Sequence, residues 1–280
     1  MVYKFFCIDL DGTLLNRKLK ISIKNKYACN NLMKSGTSIL ITTGRNEAST
    51  VFFANSLNLF QPKFNNYWVA YNGALVYDCK NNVYLLEKPF KKINILKKFI
   101  QVLYQNKFLF VIGIKNKSLS NISCSFLKKR IKKYYFHDLI KFNITEFNDD
   151  TKCFKLSIFS KNLFCGFSKK SIQIIKNLTE SLNLDYQFVF QKRIIEVTPK
   201  GVSKKTAVEF LCQTKNILPL TQVAAIGDSE NDYDLLIYSG FKACPRNAVK
   251  KIKEIADVVS TKSAGQSAVA DVINNHILNT

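Results

Sequence analysis

Short apolar runs alternate with helical segments at both ends of this 280-residue chain, and that alternation leaves few folds open. Residues 3–9 form an apolar run followed by Asp11-Gly12, which predicts a buried strand and a turn. Ser22 caps a predicted helix to about Lys34, which Gly36 stops. Residues 38–42 are a second predicted strand, Gly44 precedes a helix over about 46–57, and residues 67–71 are a third strand closed by Asn72-Gly73. The pattern resumes late in the chain. Ser203 caps a predicted helix, residues 223–226 are a strand ended by Gly227-Asp228, and a helix runs to about Ser239. A strand at 241–244, a helix from near Asn247, a short strand at 257–259 and a helix from about Gln266 complete it. Such alternation predicts a parallel sheet with helices on both faces.

The middle of the chain breaks this rhythm. Residues 91–105 and 121–135 read as Lys-rich helices, and 108–114, 152–159, 185–190 and 193–197 as strands. Between 85 and 192 there are 21 Lys+Arg against 7 Asp+Glu, so most of the chain's net charge of +22 lies there. A shift of this kind marks a second domain. The expected organisation is an α/β core of residues 1–84 and 192–280, a doubly wound parallel sheet, interrupted by an α+β domain of residues 85–191.

Composition excludes several functions. The basic excess consists of 37 Lys and only 5 Arg, with 27 Asn. Arg is the better reader of phosphate and guanine edges, so this excess reflects compositional drift more than nucleic-acid binding. The run Lys128-Lys129-Arg130-Ile131-Lys132-Lys133 reads as a solvated helix face with few interleaved aromatics. It also has the charge to steer an anionic substrate. None of the 8 Cys forms a C-x-x-C pair, and with 2 His a zinc ribbon or finger is not expected. Most of the Cys have apolar neighbours and are expected to be buried thiols. His137, Asp149 and Asp150 lack metal-ligand spacing and are expected at the surface or in loops. With no long uncharged apolar stretch and charges too early for a signal peptide, the expected setting is a reducing cytoplasm without membrane attachment.

Four segments carry chemistry, each at the C-terminal end of a predicted strand or at the start of a helix, where open parallel sheets bind ligands. Asp9-Leu10-Asp11-Gly12-Thr13 places two carboxylates on one crevice, suited to a nucleophile, an acid/base or Mg²⁺. An ordinary Asp-Gly turn is the bland alternative. Thr42-Thr43-Gly44-Arg45 offers hydroxyl, backbone and guanidinium donors to a phosphate, or merely caps a helix. Thr198-Pro199-Lys200-Gly201-Val202-Ser203-Lys204 puts a lysine at a helix start, against the helix dipole, as an anion site would, or simply carries a surface lysine in a Lys-rich chain. Gly227-Asp228-Ser229-Glu230-Asn231-Asp232 suits a divalent metal, or a capped helix start.

Together, in this order, the four segments resemble those of the haloacid dehalogenase superfamily, and specifically the Cof-type phosphatases. Asn72-Gly73-Ala74 and Ala256-Asp257-Val258-Val259 resemble the same subfamily, and the likeness covers essentially the whole chain. The resemblance implies a Mg²⁺-dependent phosphatase of small phosphorylated metabolites, sugar phosphates first, acting through an aspartyl-phosphate. It implies that Asp9 is the nucleophile and that Asp11 protonates the leaving alcohol and then activates water. Leu10, Thr43, Gly44, Lys204 and Asn231 would bind phosphate, and Lys204 would also neutralise Asp9. Asp228 would hold Mg²⁺ with the Asp9 carboxylate and the Asp11 backbone carbonyl. Arg45, Asn72 and Asp232 would support the site. Only about 30 residues separate Asp11 from Thr43, so the insert follows the second segment, as in the α+β cap of the Cof type. That position argues against a phosphomutase, and Asp11 argues against a dehalogenase or a P-type ATPase. Lys205, where Gly is common, and Pro245-Arg246-Asn247, where a small residue precedes the Asn, depart from the pattern. The rival reading is a non-catalytic module on the same fold that holds an anion or nucleic acid on its basic insert.

Overall fold

A computed structural model describes residues 3–91, 93–115, 117–135, 139–143, 150–160, 166–189 and 193–278. His137, Asp149 and Cys165 lie outside these residues. The chain divides into two compact units, residues 1–44, 50–86 and 203–280 in the first and 45–49 and 87–202 in the second.

In chain order the strands are β1 (Phe5–Ile8), β2 (Ser38–Thr42), β3 (Tyr67–Ala70), β4 (Leu75–Asp78), β5 (Val83–Glu87), β6 (Leu109–Ile114) and β7 (Lys117–Ser120). They continue as β8 (Leu139–Lys141), β9 (Cys153–Phe159), β10 (Leu184–Val189), β11 (Ile194–Pro199), β12 (Val223–Ile226), β13 (Phe241–Cys244) and β14 (Val258–Val259). The helices are α1 (Ile23–Lys34), α2 (Glu47–Ser56), α3 (Ile93–Gln105), α4 (Ser125–Tyr135) and α5 (Lys169–Ser181). After them come α6 (Lys204–Lys215), α7 (Pro219–Gln222), α8 (Tyr233–Tyr238), α9 (Lys250–Ile255) and α10 (Ala268–Val272).

The first unit is built on a sheet of order β14-β13-β12-β1-β2-β3-β4-β5. Every pair from β14 to β3 is parallel, as the alternation predicts. β1 has β2 on one side and β12 on the other, so strand order reverses at β1 and opens a crevice at its C-terminal end. Register makes the site converge there. Ile8 stands opposite both Ile41 and Ile226, so Asp9, Thr42 and Gly227 lie at one level at that end of the sheet. The four residues of β1 are all buried, which explains why they read as a continuous apolar run rather than an alternating one. Helix α6 packs Ala207, Val208 and Leu211 against Phe5, Cys7, Val223 and Ala225.

Beyond β3 the sheet departs from the expected pattern. β3 turns back into β4 as an antiparallel hairpin, Ala70 opposite Leu75. Tyr71, Asn72 and Gly73 all take positive φ, which provides the reversal.

The second unit holds a sheet of order β10-β11-β9-β6-β7-β8, antiparallel except for β7 with β8. Helices α3 and α5 pack on one face, placing Leu96, Phe99, Leu103 and Ile175 against Phe110, Ile112, Ile158, Ile195 and Val197. Helix α4 packs Leu127 and Ile131 against Val111 and Phe159. Lys129 and Lys132 on the same helix are exposed, so the basic run has an apolar stripe and a solvated face. The expected boundary at residue 192 is corrected by the strand pairing. β11 sits between β10 and β9, so the chain re-enters the first unit only at Ser203. Six described cysteines are buried and Cys124 is exposed. Asp150 is exposed, as expected.

Candidate active site

Asp9 is the first residue past β1, and its N–H donates to the carbonyl of Ile226 at 3.1 Å. That bond continues the ladder with β12 by one residue and aims the carboxylate into the crevice. Asp9 is buried, and its Oδ1 accepts from Lys204 Nζ at 2.6 Å. Its Oδ2 is buried and meets no donor among the described residues.

Lys204 is the first residue of α6. Ser203 caps this helix, its hydroxyl accepting from Thr206 N–H at 3.1 Å while its own N–H donates to Thr206 Oγ1 at 3.0 Å. This reciprocal cap fixes where the helix begins and so where the Lys204 side chain starts. The ammonium is wholly buried and bridges Asp9 and Asp232, with Asp232 Oδ1 at 2.5 Å. Burial works against its charge, but Asp232 and Asp9 override it and hold the pKa above the usual lysine value.

Asp232 has both oxygens occupied. Oδ1 takes Lys204, and Oδ2 accepts from the N–H groups of Asp228 and Ser229, each at 3.1 Å. It shapes the loop after β12 rather than offering a free ligand. Gly227 allows this, because a Cβ there would fall 2.5 Å from Asp232 Cβ and Cγ. Asp228 in turn accepts from Thr13 Oγ1 at 3.2 Å through Oδ1. Gly12, at φ +79°, lies so near that a Cβ would sit 2.2 Å from Asp228 Oδ2.

Asp9, Asp228 and Asp232 bring carboxylate oxygens within 4.8 Å of one another, and Asp11 is not part of that cluster. Three carboxylates around one ammonium leave an excess of negative charge in a buried place. Burial, only partly offset by Lys204, raises the Asp9 pKa to about 7, with Asp232 adding to the rise. Asp228 is pushed well above the ordinary carboxylate range by burial and then by Asp9 and Asp232. An excess of this kind, together with the orphaned Asp9 Oδ2 and an all-oxygen donor set, fits a hard divalent cation such as Mg²⁺.

Thr43, Asn72, Asn231 and Leu10 lie at the same sheet edge. Thr43 is buried, its N–H donating to Val69 and its carbonyl accepting from Asn72 N–H, both at 3.0 Å. Gly44 follows it in the chain. Asn231 Nδ2 donates to Asn72 Oδ1 at 3.4 Å. The Leu10 side chain is wholly buried, so only its backbone is left to meet an anion. Arg45 is buried and donates from Nη1 to Ser49 Oγ at 2.9 Å, within the 45–49 segment.

Two contributors escape the sequence reading. Thr13 belongs to the first motif by position, but its bond to Asp228 joins residues 215 apart in sequence. Asn247 reads as a helix start, yet its Nδ2 donates to the Gly12 carbonyl at 2.7 Å and its Oδ1 accepts from Ala264 N–H at 2.8 Å. It ties the Asp11-Gly12 turn to the C-terminal segment.

Comparison with known proteins supplies the family. The family model described as haloacid dehalogenase-like hydrolase matches residues 6–273. Phosphatase YwpJ of Bacillus subtilis is 27% identical over 286 residues, covering 92% of this chain and 94% of its own. The crystal structure of a haloacid dehalogenase-like hydrolase from Bacteroides thetaiotaomicron superposes with a TM-score of 0.83 at 21% identity, covering 97% of this chain and 98% of that one. The subclass IIB sugar phosphatase BT4131 superposes with a TM-score of 0.79 at 15% identity, covering 97% and 98%. The match spans both halves of the parallel sheet and all four acidic, hydroxyl and lysine segments, and the chain belongs to the haloacid dehalogenase-like hydrolases.

Proposed function

We propose that this hydrolase is a Mg²⁺-dependent phosphatase of small phosphorylated metabolites, sugar phosphates first, that works through a phosphoryl group carried on Asp9. The observation that carries the reading is the Asp9 carboxylate itself. One oxygen is held by a buried lysine and the other is buried without a donor, the arrangement of a nucleophile oriented for use.

In this mechanism Asp9 attacks phosphorus in line with the ester oxygen, forming a P–O bond to its carboxylate as the bond to the alcohol breaks. Asp11 gives its proton to the leaving alkoxide. It then takes a proton from the water that attacks the same phosphorus, which returns the Asp9 carboxylate and frees inorganic phosphate. The Leu10 backbone, Thr43, Gly44, Asn231 and Lys204 hold the non-bridging oxygens, with catalysis resting on position and charge. Asp9, Asp228 and the Asp11 carbonyl would hold Mg²⁺, whose charge offsets that of the phosphoryl oxygens. Asp232 keeps Lys204 and the Asp228 loop in place, while Arg45 and Asn72 support the phosphate-side loop. The second unit is the substrate-selecting cap of this scheme, and the setting is the cytoplasm.

Phosphate release from para-nitrophenyl phosphate and a metabolite panel, with Mg²⁺ and with EDTA, tests the reading. Release by wild type should require Mg²⁺ and fall at least about 1000-fold in Asp9→Asn, because the nucleophile is gone. Folded wild type that releases no phosphate from any compound would overturn it. It would leave the alternative of an anion-binding module on this fold.

A further inference from the structure

The turn between β3 and β4 follows an unusual path. Tyr71 (φ 53°), Asn72 (φ 57°) and Gly73 (φ 113°) are three consecutive residues in the left-handed region. Glycine enters that region freely and asparagine with tolerance, but a bulky aromatic does so only under constraint. Tyr71 and Asn72 are both buried. Backbone of this kind persists where the surroundings over-determine it, and such places cluster at functional sites.

Among the described residues, contacts from the turn reach three different loops of the site. Asn72 N–H donates to the Thr43 carbonyl at 3.0 Å. Asn72 Oδ1 accepts from Asn231 Nδ2 at 3.4 Å, and Asn231 Oδ1 accepts from the Ser229 hydroxyl at 2.7 Å. Gly73 lies against Ser203, the residue that caps α6. A Cβ on Gly73 would fall 2.1 Å from the Ser203 carbonyl oxygen and 2.6 Å from its carbon. The turn therefore touches the loop carrying Thr43, the loop carrying Asp228, and the helix start carrying Lys204.

We propose that the Tyr71-Asn72-Gly73 turn is a keystone that holds these three loops in one arrangement, with Asn72 a positioning residue acting through Asn231. Its kinetic consequence rests on the phosphatase reading, and its structural consequence does not. The left-handed backbone is what lets one short segment present an N–H, a side-chain carbonyl and a bare Cα in three directions.

Asn72→Gly tests the side-chain arm, because glycine keeps the N–H and the left-handed backbone and removes the side-chain amide, Oδ1 with it. Gly73→Ala tests the approach to Ser203. Amide hydrogen exchange on the full chain is the readout independent of activity. Asn72→Gly should remain folded at the assay temperature, yet exchange faster at residues 228–232 than any global loss of stability accounts for. Gly73→Ala should exchange faster at 203–207. With substrate, Asn72→Gly should lose about 10- to 100-fold in kcat with KM little changed, as loss of a supporting partner does. Combining it with Asn231→Ala should cost no more than Asn231→Ala alone.

Wild-type exchange and wild-type kcat in Asn72→Gly would overturn the proposal, as would a kcat loss that merely follows a lowered melting point. If Gly73→Ala does not fold, Asn72→Gly decides alone. If wild type shows no Asp9-dependent phosphate release, the phosphatase reading fails while the exchange data still judge the turn.

Discussion

Gly12 and Asp228 come from opposite halves of the chain and approach so closely that a methyl group on Gly12 would overlap Asp228 Oδ2, 2.2 Å from its Cβ position. The glycine also holds φ +79°, where an L side chain is strained. Its carbonyl is fixed by Asn247, and the neighbouring Thr13 hydroxyl is fixed on Asp228. The turn after β1 and the loop after β12 are thus held against each other.

Gly12→Ala should therefore displace Asp228. The expected result is a protein less stable by about 1–3 kcal/mol, from strain and the forced shift. Mg²⁺ binding should weaken about 10-fold or more. A Mg²⁺ titration followed by thermal shift measures both, and an unchanged Mg²⁺ midpoint would count against the assignment of Asp228.

Lys204 offers a second test, because its ammonium is the single cation between two buried carboxylates in the described site. Lys204→Met leaves Asp9 and Asp232 without their partner. Removing one member of a buried ion pair costs about 3–5 kcal/mol, part of which protonation of a carboxyl relieves. Denaturant unfolding without Mg²⁺ should show a loss on the order of 2–4 kcal/mol. Phosphate release should be abolished. Lys204→Arg should not restore activity, because a planar fork does not fit where a compact ammonium meets two oxygens. Near-wild-type turnover in either variant would remove Lys204 from the mechanism.

The pH dependence of stability follows from Asp9. Burial, opposed by Lys204 and reinforced by Asp232, raises its pKa from 3.8 to about 7. A carboxyl with a raised folded pKa binds its proton more tightly in the folded state. Its contribution to stability is complete below 3.8 and is lost as pH rises through about 7. Without metal, the protein should lose stability between pH 5 and 8. Mg²⁺ takes the ionised carboxylates, so the melting temperature it adds should be small at pH 5 and several degrees at pH 8. Scanning calorimetry at both pH values, with Mg²⁺ and with EDTA, checks the sign. A Mg²⁺ effect that is equal at both, or larger at pH 5, would contradict the charge-excess account of the site.

Much of this protein is determined by sequence alone. The apolar run of β1 specifies a strand buried on both faces, because no alternation is left for solvent. Ser203 and Thr206 specify the start of α6, because the capping bonds form between residues three apart. The alternation at both ends specifies a parallel sheet, because parallel strands need crossovers. The acidic pair at Asp9 and Asp11 and the segment from Gly227 to Asp232 are legible because dense carboxylates at strand ends have few structural uses.

Tertiary structure decided what depends on distant register. Ile8 opposite both Ile41 and Ile226 is what brings Asp9, Thr42 and Gly227 to one edge, and no local propensity contains that pairing. The assignment of β11 to the second unit's sheet came from its partners β9 and β10, since an isolated strand carries no record of which sheet it joins. The turn after β3 was legible in Asn72-Gly73, but not that Tyr71 belongs to it rather than to the strand, because its left-handed backbone places an aromatic where sequence rules place glycine. Thr13, Asn247 and Gly12 acquired their roles in the same way. A hydroxyl, an amide and a missing side chain become specific only when the fold sets Asp228 beside them.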